Sequence, residues 1–158
     1  YVPTREGHLY LEVLIDLYSR SVVGWSIREH NDVTLNLETL NMAISNRKPE
    51  PGLIHHSDQG RPYAAKKYLD RLASVGMRPS MSAKGDCWDN AVAESFFATL
   101  EFELLENQVF ESRAVARVSL SEFIEVFYNR VRIHSANDYL SPAEFEALTE
   151  TKALQKTA

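Results

Sequence analysis

Leu9, Leu11, Val13 and Ile15 recur at a period of two within residues 8–17, and Tyr10, Glu12 and Leu14 fall between them. That alternation predicts a strand with one wholly apolar face and one mixed face. A short polar break, Tyr18-Ser19-Arg20-Ser21, separates it from a second apolar run at 22–27. Two strands with so short a link pair antiparallel, as a hairpin. Glu6-Gly7 reads as a further turn, so residues 1–4 are read as the stub of an earlier strand.

The period then changes. Asp32 is placed to cap a helix over about 33–46, with Leu37, Leu40 and Ile44 at helical spacing and Pro49 and Pro51 ending it. Residues 53–56 form a short strand that enters the turn cluster Ser57-Asp58-Gln59-Gly60. A second helix over about 64–74 carries Tyr68, Leu69 and Leu72 and stops at Gly76. Residues 77–81 suggest another short strand, weakened by Pro79, and 83–89 reads as a loop. Strand, helix, strand, helix, strand is the pattern of crossovers with parallel pairing. From Asn90 onward long helices take over. One apolar stripe runs through Ala93, Phe96, Phe97, Leu100 and Leu104, and another through Ala116, Leu120, Phe123, Ile124, Phe127 and Val131. Ser141-Pro142 opens a last short helix, and residues 149–158 read as a frayed tail behind a single domain over 1–148. The expected fold class is α/β, an antiparallel meander leading into parallel strands, flanked by helices.

Composition narrows the class without naming a function. Of 158 residues, 44% are hydrophobic and 25% charged, proportions of a folded globular chain. Such a length hides roughly 70% of its unfolded surface, enough for one core. Seventeen basic against 22 acidic residues give a net charge of −5, which argues against a freestanding polybasic nucleic-acid binder. No apolar run reaches the length of a bilayer span and no signal-peptide pattern is visible, so no membrane role is expected. The lone Cys87 excludes an internal disulfide and fits a reducing, cytoplasmic location. Tyr1 in place of Met reads as the start of a partial sequence.

Asp58 follows a short apolar strand, the position from which a carboxylate faces the crevice beyond the ends of parallel strands. An Asx-turn, in which it bonds nearby backbone, fits its position equally well. Glu94 lies at the border of the Phe96 stripe near a helix start, where a carboxylate is also favoured by the helix dipole. Asp16 reads as a turn former toward Ser19 or Arg20, and Asp89 as a helix cap. His55 and His56 point to opposite faces of a strand, and no Cys/His set has zinc spacing. Neither a Gly-rich phosphate loop nor a nucleophile elbow is present.

Asp58 and Glu94 are separated by 35 residues. Ser57-Asp58-Gln59-Gly60, followed by Lys84-Gly85-Asp86-Cys87-Trp88-Asp89-Asn90-Ala91-Val92-Ala93-Glu94, closely resembles the catalytic core of bacterial insertion-sequence transposases. The group is the one named after insertion sequence three, within the retroviral-integrase superfamily. Leu14-Ile15-Asp16-Leu17-Tyr18-Ser19-Arg20 resembles the same group, as do Phe127-Tyr128-Asn129-Arg130-Val131-Arg132 and Tyr139-Leu140-Ser141-Pro142. The resemblance runs to about Leu148.

It implies a ribonuclease-H-like fold, a triad of two Asp and one Glu, and two Mg²⁺ or Mn²⁺ ions for phosphodiester cleavage and strand transfer on DNA. Asp58 matches the second Asp and Glu94 the Glu, each as metal ligand and catalytic carboxylate. Arg61, Lys84 and Asn90 match positions that meet DNA. Transposases of this kind work as multimers on mobile-element ends and target DNA, so a homo-oligomer is expected.

Three departures qualify the likeness. The family's first Asp falls just upstream of Tyr1, so the chain as it stands is expected to be inactive, with a weakened sheet. Glu101 stands where a Lys is usual, a charge that repels phosphate. Asn137 replaces a usual Leu, which reads as a minor loop change. The alternatives are an inactive remnant acting as an interaction or dimerisation module, and a nuclease of the same fold acting on RNA–DNA hybrids.

Overall fold

The alternating segment folds as β1 (Tyr10–Ile15) and pairs antiparallel with β2 (Val22–Arg28), Val13 opposite Trp25. The computed structural model describes residues 1–82, 91–106 and 108–156. The hairpin closes as the sequence indicates, because Asp16 Oδ1 accepts from the Tyr18 N–H at 2.7 Å and the Ser19 N–H at 3.3 Å. Upstream, Val2 and Leu9 exchange backbone hydrogen bonds of 2.7 and 2.9 Å in an antiparallel bridge, and Thr4 bridges Phe110. The first strand of the expected meander is thus reduced to isolated bridges.

Helix α1 (Val33–Arg47) starts where Asp32 accepts from the Thr34 and Leu35 N–H groups, and ends at Lys48, whose φ of 44° turns the chain before Pro49. Its buried face is Leu35, Asn36, Thr39, Leu40 and Ala43, one step around from the expected stripe. Leu37 and Ile44 are only partly buried. β3 (Ile54–Ser57) pairs in parallel with β4 (Arg78–Met81), connected by α2 (Lys66–Ser74). Pro79 is accommodated opposite His55.

α3 (Ala91–Leu100) runs on into a π-helical turn, Glu101–Leu105. α4 (Arg113–Glu122), capped by Ser112 Oγ on the Val115 N–H, likewise continues as a π-helix, Phe123–Val131. The final helix, α5 (Pro142–Lys156), is longer than the short helix ending at Thr149 that the sequence suggests. Its start is a capping box: Glu144 accepts from the Ser141 N–H at 2.9 Å and hydroxyl at 2.8 Å.

The mixed α/β class holds, but the sheet is divided. Among the described residues β1–β2 and β3–β4 are two separate two-stranded sheets with no hydrogen-bonded pairing between them. Two apolar clusters accompany them, and the second includes Leu14 of β1 together with residues of α1 and α2. Val2, Leu9, Val13, Val22 and Ile27 pack with Phe96, Leu100, Phe110, Leu120, Ile124 and Tyr128 in the first. Phe96 meets Tyr128 edge-on at 4.8 Å between centroids. The second cluster is small, with Leu40, Tyr68 and Leu72 at its centre. Between the halves lies a cavity of about 990 Å³, lined by β1 and β3 and by side chains of α1 and α3.

Asn137 is no minor loop residue. It is wholly buried, and its Nδ2 donates to the Ser19 carbonyl at 2.6 Å.

Candidate active site

The cavity between the two sheets gathers the carboxylates that the sequence singles out. Asp58 follows the last residue of β3 and is exposed, and Glu94 lies in the first turn of α3, also exposed; both line this cavity. Asp58 reaches it through its turn: Oδ1 accepts from the Gly60 N–H at 2.7 Å, which fixes the carboxylate. The Asx-turn role is therefore realised, and the same turn presents Asp58 to the cavity. Glu94 is held through its helix neighbours Phe96 and Leu100, both in the first apolar cluster. Phe97, expected in the buried stripe, is 41% exposed and faces the same cavity as Glu94.

Arg61 is exposed in the turn three residues beyond Asp58. Lys84 and Asn90, the other two positions matched to DNA contact, lie outside the described residues, as do the cap residue Asp89 and Cys87. Among the described residues no group of three or more His, Cys, Asp or Glu is placed to hold a metal ion, and no helix is long and apolar enough to cross a membrane. Glu101 is exposed in the π-helical turn after α3.

Beneath Asp58 lies a polar cluster that sequence reasoning missed. Glu12 projects from the mixed face of β1 and accepts a hydrogen bond from the Tyr63 hydroxyl. Burial pushes the Glu12 carboxyl above its ordinary range; the Tyr63 bond offsets part of this, the Asp58 charge adds to it, and the nearby Asn36 amide lowers it. Burial, and then the Glu12 charge, push the Tyr63 hydroxyl strongly upward. Beside them Tyr68 and His55 Nε2 are 3.1 Å apart, and burial holds His55 down to about 4. His56 points the other way, its Nδ1 3.1 Å from Ser80 Oγ, as alternation requires. The available signal was Glu12 itself, a lone charge between Leu11 and Val13 in an apolar strand.

The sequence of the chain matches a known family. Integrase core domain models match residues 1–87 and 75–142, and the chain belongs to that family. Among its relatives, the transposase for insertion sequence element IS904 of Lactococcus lactis subsp. lactis (strain IL1403) is 45% identical over 146 residues, 92% of this chain and 58% of that protein. Transposase InsF for insertion sequence IS3A of Escherichia coli (strain K12) is 44% identical over 146 residues, 92% of this chain and 51% of that protein. The chain thus spans a little over half the length of these curated relatives.

Solved structures define the fold at lower identity. The HTLV-2 integrase catalytic core domain in complex with magnesium (trimeric form) superposes with a TM-score of 0.64 at 14% identity, covering 90% of this chain and 88% of that one. A chain of the simian T-cell lymphotropic virus intasome in complex with PP2A regulatory subunit B56 gamma gives 0.70 at 14% identity, over 90% and 49% of the two chains. The fold is that of retroviral integrase catalytic cores, the ribonuclease-H-like class that the sequence resembles.

Proposed function

We propose that this chain is the catalytic-core portion of a DNA transposase, and that Asp58 and Glu94 are two of its three metal-binding carboxylates. The observation that carries the reading is their meeting on one cavity, from two different halves of the fold, in a chain 44–45% identical to insertion-sequence transposases. Asp58 has one oxygen fixed by the Gly60 N–H, and both side chains are exposed carboxylates, the hard oxygen donors that suit Mg²⁺ or Mn²⁺. The magnesium complex of the HTLV-2 integrase core supports the same choice of ion for the fold.

The third carboxylate in this reading is an Asp upstream of Tyr1. The Val2–Leu9 bridge directs the preceding chain antiparallel to β1, whose Val13, Leu14 and Ile15 line the cavity. A strand there would join the two half-sheets and bring its carboxylate between Asp58 and Glu94. The chain alone, with two ligands, is then inactive.

Bound divalent ions would supply an activated oxygen nucleophile and a stabilised leaving oxygen for in-line attack on a phosphodiester. The chain's own contribution is position. The Gly60 N–H orients Asp58, α3 fixes Glu94, and Arg61, Lys84 and Asn90 neutralise or bond the DNA backbone. Its partners are mobile-element ends and target DNA, and it works as a homo-oligomer, for which the trimeric and dimeric forms of the HTLV-2 core are a precedent.

Mn²⁺ calorimetry on this chain and on one extended upstream of Tyr1, each with Asp58→Asn and Glu94→Gln versions, tests the reading. Binding by the extended chain alone, abolished by either substitution, supports it. An extended chain that binds no Mn²⁺ overturns it in favour of an inactive interaction module.

A further inference from the structure

Asp58 and Glu94 ride on different halves of the molecule. Asp58 follows β3, which among the described residues pairs only with β4; Glu94 sits on α3, whose Phe96 and Leu100 belong to the apolar cluster of β1 and β2. The separation of the two carboxylates is therefore set by whatever ties one half to the other. Backbone pairing is not that tie, since none joins the two sheets among the described residues.

Leu14 and Leu40 pack toward Tyr68 and Leu72 across the halves, and a polar tie crosses as well and reaches the Asp58 turn. Tyr63 donates its hydroxyl to Glu12 of β1, linking positions 51 residues apart. Tyr63 is also part of the Asp58 turn. Its N–H bonds the Gly60 carbonyl at 3.1 Å, while the Gly60 N–H bonds Asp58. Gly60 lies between the two: the position a Cβ would take on it is 2.7 Å from Asp58 Oδ1 and 3.3 Å from the Tyr63 ring. Tyr63 and the Asp58 carboxylate are therefore linked through the backbone groups of one residue, Gly60.

We propose that Glu12 is a positioning residue for Asp58, acting through Tyr63 to hold the second half-sheet's carboxylate at a fixed place relative to Glu94. This rests on the reading of Asp58 as a metal ligand. Glu12 does not join the ligand set itself. Its carboxylate is engaged by the Tyr63 hydroxyl, and no three acidic or His side chains among the described residues converge on one point.

The geometry also says which substitution is tolerated. Glu12→Gln keeps an oxygen to accept from Tyr63. Its amide N–H can meet Asn36 Oδ1, a buried acceptor that has no partner. Glu12→Ala and Tyr63→Phe each break the tie.

The test is Mn²⁺ affinity by calorimetry on the upstream-extended chain, with thermal unfolding recorded on every variant. Glu12→Ala and Tyr63→Phe should each weaken Mn²⁺ binding about tenfold, and the double variant no more than either single one. Glu12→Gln should stay within about twofold of the parent. Tyr63→Phe keeps the ring and its packing, so it reports even if Glu12→Ala fails to fold. Unchanged affinity in folded Tyr63→Phe overturns the proposal. So does a Glu12→Gln loss as large as that of Glu12→Ala, which would make the charge itself a ligand. Asp58→Asn separates the two levels: if it leaves Mn²⁺ binding intact, the metal reading of Asp58 fails and this inference with it. If it abolishes binding while the Glu12 and Tyr63 variants are silent, only the inference falls.

Discussion

Asn129 pairs with Val22 as a neighbouring strand would: its Oδ1 accepts from the Val22 N–H at 2.9 Å and its Nδ2 donates to the Val22 carbonyl at 3.0 Å. One amide thus satisfies both backbone groups of the residue that begins β2, from 107 positions away. It joins the π-helical stretch after α4 to the hairpin and pairs the Val22 N–H and C=O. Asn129→Asp keeps the acceptor but turns the donor into a second oxygen facing the carbonyl. Both Asn129→Asp and Asn129→Ala should lower the unfolding free energy by about 2 kcal/mol, read by denaturant titration. Equal stability of all three would show that the pairing contributes nothing net.

Gly24 sets how closely α1 can lie on the hairpin. A Cβ there would stand 2.4 Å from the Thr39 carbonyl oxygen and 2.8 Å from the Ala43 nitrogen, both rigid helix backbone. Gly24→Ala must push the helix away from β2, an overpacking cost of about 1–3 kcal/mol. A midpoint of unfolding indistinguishable from the parent would mean that α1 shifts freely, contrary to its packing on both β1 and β2.

How much of this was legible beforehand depends on the range of each interaction. The β1 alternation, the Asp32 cap, the Asp16 turn and the Ser141 start of α5 all act within four residues, and local spacing showed them. The carboxylates Asp58 and Glu94 were visible because their spacing matches a known pattern, not because either environment is unusual. The division of the sheet was foreshadowed only as weakness, since pairing is a property of strands far apart in sequence. Asn137, Asn129 and the Glu12–Tyr63 tie were illegible for the same reason: their partners lie 118, 107 and 51 positions away. Asn137 is the clearest case, a polar residue at an apolar position whose partner, the Ser19 carbonyl, only the folded chain supplies.

Acid should destabilise the fold through the imidazoles of His55, which is buried, and His134, which is partly so. His55 is held down to about 4 by burial and then by His56, against 6.5 in the unfolded chain. The folded protein therefore takes up that proton only at lower pH than the unfolded chain does. Stability is full above about pH 6.5 and declines as pH falls toward about 4. At about pH 5 the His55 share amounts to about 2 kcal/mol. His134, also held down to about 4, by burial first and then Arg132 and Arg20, acts in the same direction. Denaturant unfolding across this range should show the decline, and His55→Gln should flatten it without abolishing it. A slope unchanged by His55→Gln would place the proton uptake elsewhere.

Glu101 offers the sharpest test of the DNA reading from a residue outside the carboxylate site. It is exposed in the π-helical turn that continues α3, on the same helical rod as Glu94. A carboxylate there repels a phosphate backbone passing along α3, whereas a cation would release a counterion on binding it. Glu101→Lys removes one repulsion and adds one contact at an exposed position, so stability should stay within about 0.5 kcal/mol. Duplex DNA affinity of the upstream-extended chain should rise, and the slope of log affinity against log salt should steepen by about 0.9. A tighter complex with an unchanged slope would mean that the gain does not come from a new phosphate contact. No change in either quantity would remove this face of α3 from the path of DNA, leaving the turn around Asp58 and Arg61 as the place to look for it.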